Sequence, residues 1–283
     1  MDESRILITG AGGQLGKALS TRFPKAMATD HATLDIGDVG ALEAFDWSGV
    51  DVILNAAGYT NVDGAQTSEG REAAWKINGQ AVANLARMST AHGLTLVHIS
   101  SEYVFDGTKT SHTEDEALAP LGVYAQSKAA GDIAASVAPK HYIVRTSWVV
   151  GDGTNFVRTM IGLAGRNISP KVVSDQIGRL TFTETLVDGI EKLIRAKAPY
   201  GIYNLSNEGE PASWAEVTRA IFKELGRDDL TVTDVTTAEY FREKPEAAPR
   251  PLKSTLDLAK IEAVGVKPAD WRTALHHYIA SQN

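Results

Sequence analysis

The segment RILITGAGGQLG (residues 5–16) gives the strongest indication of the fold class of this protein. Residues 5–10 are a short apolar run that predicts a buried strand, and a helix is predicted over residues 14–22. The glycines at 10, 13 and 16 permit a tight turn, close approach of a ligand, and packing of the helix on the strand. The helix N-terminus offers unpaired N–H groups to a phosphate. The glycine spacing is looser than the strict dinucleotide fingerprint, but its position after the first strand favours a dinucleotide site.

The rest of the chain alternates strand and helix patterns. Further strands are predicted at residues 25–30, 50–58, 94–101 and 141–151, and further helices at residues 69–93 and 123–138. This alternation implies an α/β fold with a Rossmann-type, doubly wound parallel sheet that helices cover on both faces. We predict a dinucleotide-binding domain over residues 1–150, with its sheet completed by about residues 183–206. A smaller mixed α/β substrate domain is predicted from residues 151–182 and 207–283.

The composition argues against several classes of function. The chain has no cysteine, which excludes a thiol nucleophile, a disulfide framework and a cysteine-ligated metal. Its seven histidines show no metal-ligand spacing and its basic residues are dispersed, so we predict neither a metal site nor a nucleic-acid partner. No apolar run approaches the roughly 20 residues that cross a bilayer. Because the acidic start enters a strand at once, we expect a cytoplasmic protein with no membrane partner.

Asp30 bears on the choice of cofactor. It ends the second predicted strand, twenty residues after Gly10. An acid at this position can accept hydrogen bonds from an adenosine ribose and would repel a 2′-phosphate. No Arg or Lys occurs at residues 11, 12 or 31–33 to receive such a phosphate. The pattern favours NADH over NADPH, and the alternative is that Asp30 is a surface turn residue.

Two Tyr-x-x-x-Lys pairs occur, at Tyr124–Lys128 and Tyr240–Lys244. On a helix, this spacing places both side chains on one face. Tyr124 opens a predicted helix after the strand that ends at Ser101, whereas Tyr240 lies between glutamates near three prolines. We therefore predict that the first pair carries the chemistry and that the second is structural.

The predicted chemistry is the reduction of a carbonyl group. A free tyrosine has a pKa near 10, and lowering this value to about 7 requires roughly 4 kcal/mol. A neighbouring ammonium group can contribute to that difference, so Lys128 is predicted to lower the pKa of Tyr124. The hydroxyl of Ser101 could bind the same carbonyl oxygen and hold it for reduction.

The glycine turn, Ser101 and the Tyr124–Lys128 pair together resemble the signature of the extended short-chain dehydrogenase/reductase superfamily. A finer pattern resembles the dTDP-4-dehydrorhamnose reductase family, and it covers nearly the whole chain. Its segments are GQLG, LDI, LNAAGYTNVD, ISSEYVFDG, YAQSK, RTSWVVG, NFVRTM, SDQIGRLT, GIYNLSN and RPLKS. The resemblance implies NADPH or NADH as cofactor, and reduction of the C4 ketone of dTDP-4-dehydro-L-rhamnose to dTDP-L-rhamnose. We predict a monomer or a weak homodimer.

The resemblance assigns roles to individual residues. It implies that Tyr124 donates a proton to the ketone, that Lys128 also binds the nicotinamide ribose, and that Ser101 polarises the carbonyl group. The implied cofactor contacts, beside the catalytic pair, are Gly10, Gly13, Gln14, Leu15, Gly16, Asp30, Asp35, Ile36, Ala57, Gly58 and Tyr59. The implied substrate contacts are Ser101, Glu102, Trp148, Asn155, Phe156 and Arg250. The plainer alternatives are a core role for Trp148, a helix N-cap for Asn155 and a surface charge for Arg250.

Related activities remain as alternatives. The 4,6-dehydratases of this superfamily carry a Thr-Asp-Glu pattern at the end of this strand. This chain has Ser101-Glu102-Tyr103 there, with a single carboxylate. The elimination of water, which uses an acid and a base, therefore lacks its second carboxylate in this chain. Another nucleotide-sugar epimerase or reductase stays open, as does a non-catalytic NADP-binding subunit resembling the regulatory subunit of methionine adenosyltransferase. Some family members hold Mg²⁺ through glutamates, one of them at the position of Ala18, so no metal is predicted here.

Overall fold

The computed structural model describes residues 1–282. Its strands are β1 (Ile6–Thr9), β2 (Met27–Thr29), β3 (Val52–Asn55), β4 (Thr95–Ser101), β5 (His141–Thr146), β6 (Val149–Val150), β7 (Lys171–Val173), β8 (Ile177–Gly178), β9 (Thr181–Phe182), β10 (Gly201–Asn204), β11 (Ala212–Ser213) and β12 (Thr233–Val235). Its helices are α1 (Gln14–Arg22), α2 (Val39–Ala44), α3 (Ser68–Trp75), α4 (Ala81–His92), α5 (Val123–Ser136), α6 (Phe156–Gly165), α7 (Thr183–Arg195), α8 (Trp214–Glu224), α9 (Thr237–Tyr240), α10 (Ala259–Ala263) and α11 (Trp271–Ala280). In this described part of the chain, no helix has the length and apolar character needed to cross a bilayer.

Six strands form one sheet in the order β10-β5-β4-β3-β1-β2, and all its pairings are parallel. The strand order reverses between β1 and β3, because β2 lies on one side of β1 and the later strands lie on the other. Ligands of such sheets bind outside the carboxyl ends of the strands, at this switch point. The predicted Rossmann-type α/β fold is confirmed. Its sixth strand, β10, comes from the segment that was predicted to complete the sheet.

Each face of the sheet carries its own hydrophobic core. In β1, Ile8 belongs to the core that holds Ile190 of α7, whereas Leu7 belongs to the opposite core with Leu85 of α4. This division follows from the period of two in a strand. All four residues of β1 are buried, as expected for a central parallel strand. Full burial of such a side chain contributes about 1.5–3 kcal/mol, so the apolar run anchors the glycine turn that follows it.

A third core lies in a smaller lobe. It joins α6, α8 and α11 through residues such as Val157, Ile221 and Leu275. The end of the chain also reaches the sheet, since Leu256 and Ile261 belong to the same core as Ile8. Residues 207–283 therefore contribute to both halves of the molecule, and the predicted domain bounds stay a prediction.

The single long helix predicted before β4 is interrupted. After α3 ends at Trp75, a π-helical turn covers Lys76–Gln80, and α4 follows. The side chain of Asn78 binds both backbone groups of Tyr59 and donates to Ser127 Oγ at 3.0 Å. A π-helical turn inserts an extra residue into the helix, and such turns are frequent at functional sites. Here the turn directs the Asn78 amide away from solvent.

The strand predicted over residues 141–151 breaks at Trp148. β5 ends before it, and β6 pairs with β9 instead of joining the sheet. Trp148 has a φ of +45°, in the left-handed region that bulky residues rarely adopt. Backbone strain of this kind persists only where the surroundings impose it, and it clusters at functional sites.

Candidate active site

The glycine turn after β1 has the backbone geometry of a phosphate site. Gly10 has a φ of +72°, and a Cβ there would lie 2.5 Å from backbone atoms of Ala57. A Cβ on Gly16 would lie 2.1 Å from the carbonyl oxygen of Gly10, so α1 packs directly on the turn. Gly13 is the N-cap of α1 and brings no side chain to it. The first N–H groups of the helix therefore face outward without a side-chain cap, as anion binding requires.

A cavity of about 320 Å³ lies beside this turn. Most of the predicted cofactor contacts line it, namely Gly10, Gly13, Asp30, Asp35, Ile36, Ala57 and Gly58. Two predicted contacts are directed elsewhere. Leu15 is buried in the core of the sheet, and Gln14 accepts a hydrogen bond from the N–H of Gly151 at 2.9 Å. Tyr59 is held through its backbone by Asn78.

Acidic groups dominate one wall of this cavity. Asp30 Oδ1 accepts hydrogen bonds from the Thr33 side chain and from nearby backbone N–H groups, and these bonds lower the pKa of Asp30. Asp35 Oδ2 lies 3.4 Å from Lys76 Nζ. Among the described residues that line the cavity, His31 is the one basic side chain. This wall suits a ribose diol better than a 2′-phosphate.

The predicted catalytic residues meet at the carboxyl end of β4. Ser101 is the last residue of β4, and Tyr124 and Lys128 lie one turn apart on α5, which packs on that strand. The rings of Tyr124 and Tyr103 form an edge-to-face contact, with their centroids 5.4 Å apart. Ser101 and Lys128 are only 7% and 5% exposed. The Ser101 hydroxyl and the Lys128 ammonium group are therefore shielded from bulk water, whereas Tyr124 is partly exposed.

The pKa of Tyr124 is raised well above its usual value. Burial is the main cause and the charge of Glu102 is the second, while the hydroxyl of Ser101 acts in the opposite direction. Lys128 Nζ donates to the carbonyl oxygen of Ile99 at 2.6 Å, and burial lowers the pKa of Lys128 to about 8. Lys128 is not among the groups that shift the pKa of Tyr124 here, so the prediction that it lowers this pKa stays a prediction. Tyr124 keeps its proton at neutral pH, as a proton donor must.

Glu102 follows Ser101 and is buried beside it. Its side chain is 3% exposed, and its Oε2 lies 2.8 Å from Ser101 Oγ. Burial raises the pKa of Glu102 to about 7, although its hydrogen bond with Ser101 acts to lower it. This carboxyl group therefore changes its charge near neutral pH, next to the hydroxyl groups of Ser101 and Tyr124.

An aromatic wall is formed by Trp148, Trp214 and Phe156. The rings of Trp148 and Trp214 stack with centroids 3.5 Å apart, and Phe156 lies 4.3 Å from Trp214. A Cβ on Gly178 would lie 2.9 Å from the Trp148 ring, so the ring is also held from the side of β8. These contacts explain how Trp148 keeps its left-handed backbone. Trp214 therefore covers one face of the Trp148 ring, and Trp148 stays partly exposed.

Asn155 is engaged within the protein. It is the N-cap of α6, where its side chain accepts from the N–H of Arg158 at 3.0 Å. Its Nδ2 donates to the carbonyl oxygen of Gly151 at 2.9 Å and to Tyr278 Oη at 3.1 Å. The structure thus gives Asn155 the capping role that was the alternative to a substrate contact.

Arg250 also has a partner. Its Nη2 lies 2.9 and 2.8 Å from the two carboxylate oxygens of Asp63, and its guanidinium group lies over the ring of Phe241 at 4.5 Å. Its charge lowers the pKa of Tyr103, though burial raises that pKa more strongly. The charge of Arg250 therefore reaches Tyr103 beside the catalytic residues, although Arg250 is paired with Asp63.

The second Tyr-x-x-x-Lys pair lies at the surface. Tyr240 is the last residue of α9 and is 43% exposed. Lys244 lies beyond that helix, with its Nζ 4.9 Å from the centre of the Tyr240 ring. This is an exposed cation–π contact, of the kind that contributes about 0.5–1 kcal/mol.

Sequence reasoning missed residues that shape the site from behind. Asn55 ends β3, where its Oδ1 accepts from Thr9 Oγ1 at 2.8 Å and its Nδ2 lies 3.1 Å from His98 Nδ1. Asn78 and Trp214 were missed as well. A polar residue at the end of an apolar strand could have indicated Asn55, whereas nothing local marks the partners of Asn78. No group of three or more potential metal ligands occurs within residues 1–282.

Known proteins resemble this chain over almost its full length. The family model of the RmlD substrate binding domain matches residues 4–283. The dTDP-4-dehydrorhamnose reductase of Aggregatibacter actinomycetemcomitans is 39% identical, with 96% of this chain and 97% of that protein covered. The crystal structure of a dTDP-4-dehydrorhamnose reductase from Clostridium acetobutylicum matches with a TM-score of 0.91 and 36% identity, over 98% of this chain and 99% of that one. The Bacillus anthracis reductase in complex with NADP matches with a TM-score of 0.90 and 33% identity, over 98% and 99%.

Proposed function

Because the chain belongs to the family of the RmlD substrate binding domain, we propose that it is a dTDP-4-dehydrorhamnose reductase. It would reduce the C4 ketone of dTDP-4-dehydro-L-rhamnose to dTDP-L-rhamnose with NADPH or NADH. The observation that carries this proposal is the grouping of Ser101, Tyr124 and Lys128 at the carboxyl end of β4. That position adjoins the switch point of the sheet, where a dinucleotide would bind.

The residues around the glycine turn fit a dinucleotide. The approach of Gly10 to Ala57 leaves no room for a side chain, and the uncapped start of α1 offers N–H groups to a diphosphate. Asp30 and Asp35 would hold the ribose hydroxyls of the adenosine end. Bound NADPH or NADH supplies the hydride that reduces the ketone carbon.

Tyr124 would supply the proton that the ketone oxygen needs. Burial keeps the phenol group protonated at neutral pH, and the developing negative charge on the oxygen then draws the proton. Ser101 would donate a second hydrogen bond to the same oxygen. Lys128, which donates to the carbonyl oxygen of Ile99, would bind the nicotinamide ribose and would stabilise the phenolate that remains once the cofactor and substrate are bound.

The sugar would lie against the aromatic wall. The partly exposed ring of Trp148 would pack on the apolar face of a 6-deoxy sugar, and Phe156 extends this wall through Trp214. Asn155 would act through the start of α6, which it caps, rather than by direct contact. Arg250 would bind the substrate diphosphate by exchanging its partner Asp63.

The test is a coupled assay on the purified chain. An epimerase supplies dTDP-4-dehydro-L-rhamnose, NADH or NADPH oxidation is followed by absorbance, and the product sugar is identified by chromatography. We expect cofactor oxidation that depends on the sugar nucleotide and yields dTDP-L-rhamnose. A chain that bound cofactor but reduced no dTDP-4-keto sugar would contradict the proposal and favour a non-catalytic, NADP-binding subunit.

A further inference from the structure

The carboxyl group of Glu102 lies at the centre of the site, yet the transfers of hydride and proton do not use it. It is 3% exposed, and within residues 1–282 it forms no ion pair. Its one side-chain partner is Ser101, whose Oγ lies 2.8 Å from Glu102 Oε2. A buried carboxylate without a cation is costly. The protonation state of Glu102 therefore affects the hydrogen bonds that Ser101 can form.

The hydrogen bonds of Ser101 depend on that proton. A serine hydroxyl has one proton to donate and two lone pairs that accept. One lone pair accepts from the N–H of Tyr103 at 3.2 Å. When Glu102 is ionised, its Oε2 can only accept, so the Ser101 proton points at Glu102. When Glu102 is protonated, it donates to the second lone pair, and the Ser101 proton is free for a ketone oxygen.

We propose that Glu102 is a positioning residue whose proton turns the Ser101 hydroxyl toward the ketone and whose ionisation turns it away. This inference rests on the proposed reductase function. The proton of Glu102 stays on Glu102 throughout the reaction. Tyr124 remains the residue that gives a proton to the product, so the overall balance of the reduction does not change.

The groups that face Glu102 leave its charge uncompensated. Two phenols face Glu102: Tyr124 on α5, and Tyr103, the next residue in the chain. The charge of Glu102 raises the pKa of both. The ammonium group of Lys128, also on α5, is bonded to the carbonyl oxygen of Ile99. Hydrogen bonds from the Ser101 side chain and from the backbone of Glu102 and Tyr103 lower the pKa of Glu102, but burial outweighs them and raises it to about 7.

The remaining charged groups nearby are paired with each other. Asp132, one turn beyond Lys128 on α5, lies 2.9 Å from Arg145 of β5. Arg250 in the C-terminal segment lies 2.8 Å from Asp63. Because both cations are neutralised by their own partners, a change in the charge of Glu102 reaches the site through Ser101 and the two phenols.

The pH dependence of kcat tests the inference. For the wild-type protein with saturating NADH and dTDP-4-dehydro-L-rhamnose, kcat should fall as the pH rises through about 7. The full fall should approach a hundredfold, about the lower end of what one oxyanion donor contributes. Glu102→Gln carries an amide that donates at every pH, so its kcat should stay near the low-pH rate of the wild type. Ser101→Ala should be slow and lack this fall, and Glu243→Gln, a change at an exposed position, should follow the wild type.

Two results of this experiment would overturn the inference. A fall that persists unchanged in Glu102→Gln would assign the titration to Lys128 or Tyr124. A flat profile for Glu102→Gln at the slow, alkaline rate of the wild type would mean that protonation of Glu102 does not release the Ser101 hydroxyl.

A second measurement needs no substrate. The infrared spectrum of the wild type minus that of Glu102→Gln should contain the band of a protonated carboxylic acid that disappears near neutral pH. Absence of this band across the neutral range would overturn the inference even in an active enzyme. If the band titrated near neutral pH but the wild type reduced no dTDP-4-keto sugar, the proposed function would be wrong. The protonation of Glu102 in the folded protein would still be supported.

Discussion

At the scale of single residues, the hydroxyl of Tyr124 is the group on which the proposed reduction depends. Tyr124→Phe keeps the ring that packs on Tyr103 and removes only the proton donor. We expect kcat to fall by at least about a hundredfold, the lower range for a general acid, with little change in the Kd of NADH. Tyr240→Phe, at the exposed pair, should leave kcat near the wild-type value. If the two variants lost activity to the same degree, Tyr124 would not be the donor.

Asp30 sets an expectation for the cofactor at the same scale. Its carboxylate lines the cavity and would repel a 2′-phosphate, so NADH should bind at least as tightly as NADPH. Asp30→Ala should improve the Kd of NADPH relative to that of NADH by about tenfold, or roughly 1.4 kcal/mol. Asp46→Ala is the control, since Asp46 is another exposed acid that accepts a backbone N–H but does not line the cavity. A tenfold preference of the wild type for NADPH in a fluorescence titration would contradict this expectation.

At the scale of elements, the π-helical turn between α3 and α4 connects the stability of the fold to the cofactor cavity. Asn78→Ala would leave both backbone groups of Tyr59 without their side-chain partner. Leaving such groups unpaired costs about 1–3 kcal/mol. We expect a loss of this size in the free energy of unfolding by urea, together with weaker NADH binding, because Ala57 and Gly58 precede Tyr59 and line the cavity.

The control for this element is Ser89→Ala in α4. Ser89 is buried too, but its hydroxyl bonds only to the carbonyl oxygen of Ala86 within the same helix. The Ser89→Ala variant should therefore bind NADH with a Kd close to that of the wild type. If Asn78→Ala destabilised the protein but left cofactor binding as Ser89→Ala does, the turn would serve the fold alone.

At the scale of the whole molecule, stability should depend on pH through Glu102. Its pKa rises from 4.5 to about 7 on folding, so between these values the folded chain holds a proton that the unfolded chain has released. The free energy of unfolding therefore falls as the pH rises through this window. At about 1.4 kcal/mol for each tenfold change in proton affinity, the full effect is roughly 3 kcal/mol.

Glu102→Gln isolates this contribution. The difference in unfolding free energy between Glu102→Gln and the wild type should rise from near zero at about pH 4 to roughly 3 kcal/mol above about pH 7. Other buried groups, such as His98 with its lowered pKa, titrate in both proteins and drop out of the difference. A difference that did not change with pH would mean that Glu102 has the same pKa in the folded and unfolded chain. Urea titrations at several pH values provide the measurement.

Features that depend on near neighbours along the chain could be predicted from the amino-acid sequence. The apolar run at residues 5–10 and the glycines after it predicted a strand, a turn and a helix, and the alternation of patterns predicted the parallel sheet that the structure contains. Context also favoured Tyr124 over Tyr240 as the proton donor, although both have the same spacing to a lysine, and that choice stays a prediction. The predictions of the fold succeed because backbone preference and side-chain period act over a few residues.

The directions of the side chains in the site follow from contacts between distant segments and could not be predicted from the sequence. Lys128 bonds to Ile99 of another element, and Asp63 meets Arg250, which lies 187 positions further along the chain. The raised pKa of Glu102 likewise comes from burial by segments that fold around it. Local spacing carries no information about these partners. Their positions and the exclusion of water arise when distant segments pack together, and at this site these two effects set the direction of each hydrogen bond and the charge of each group.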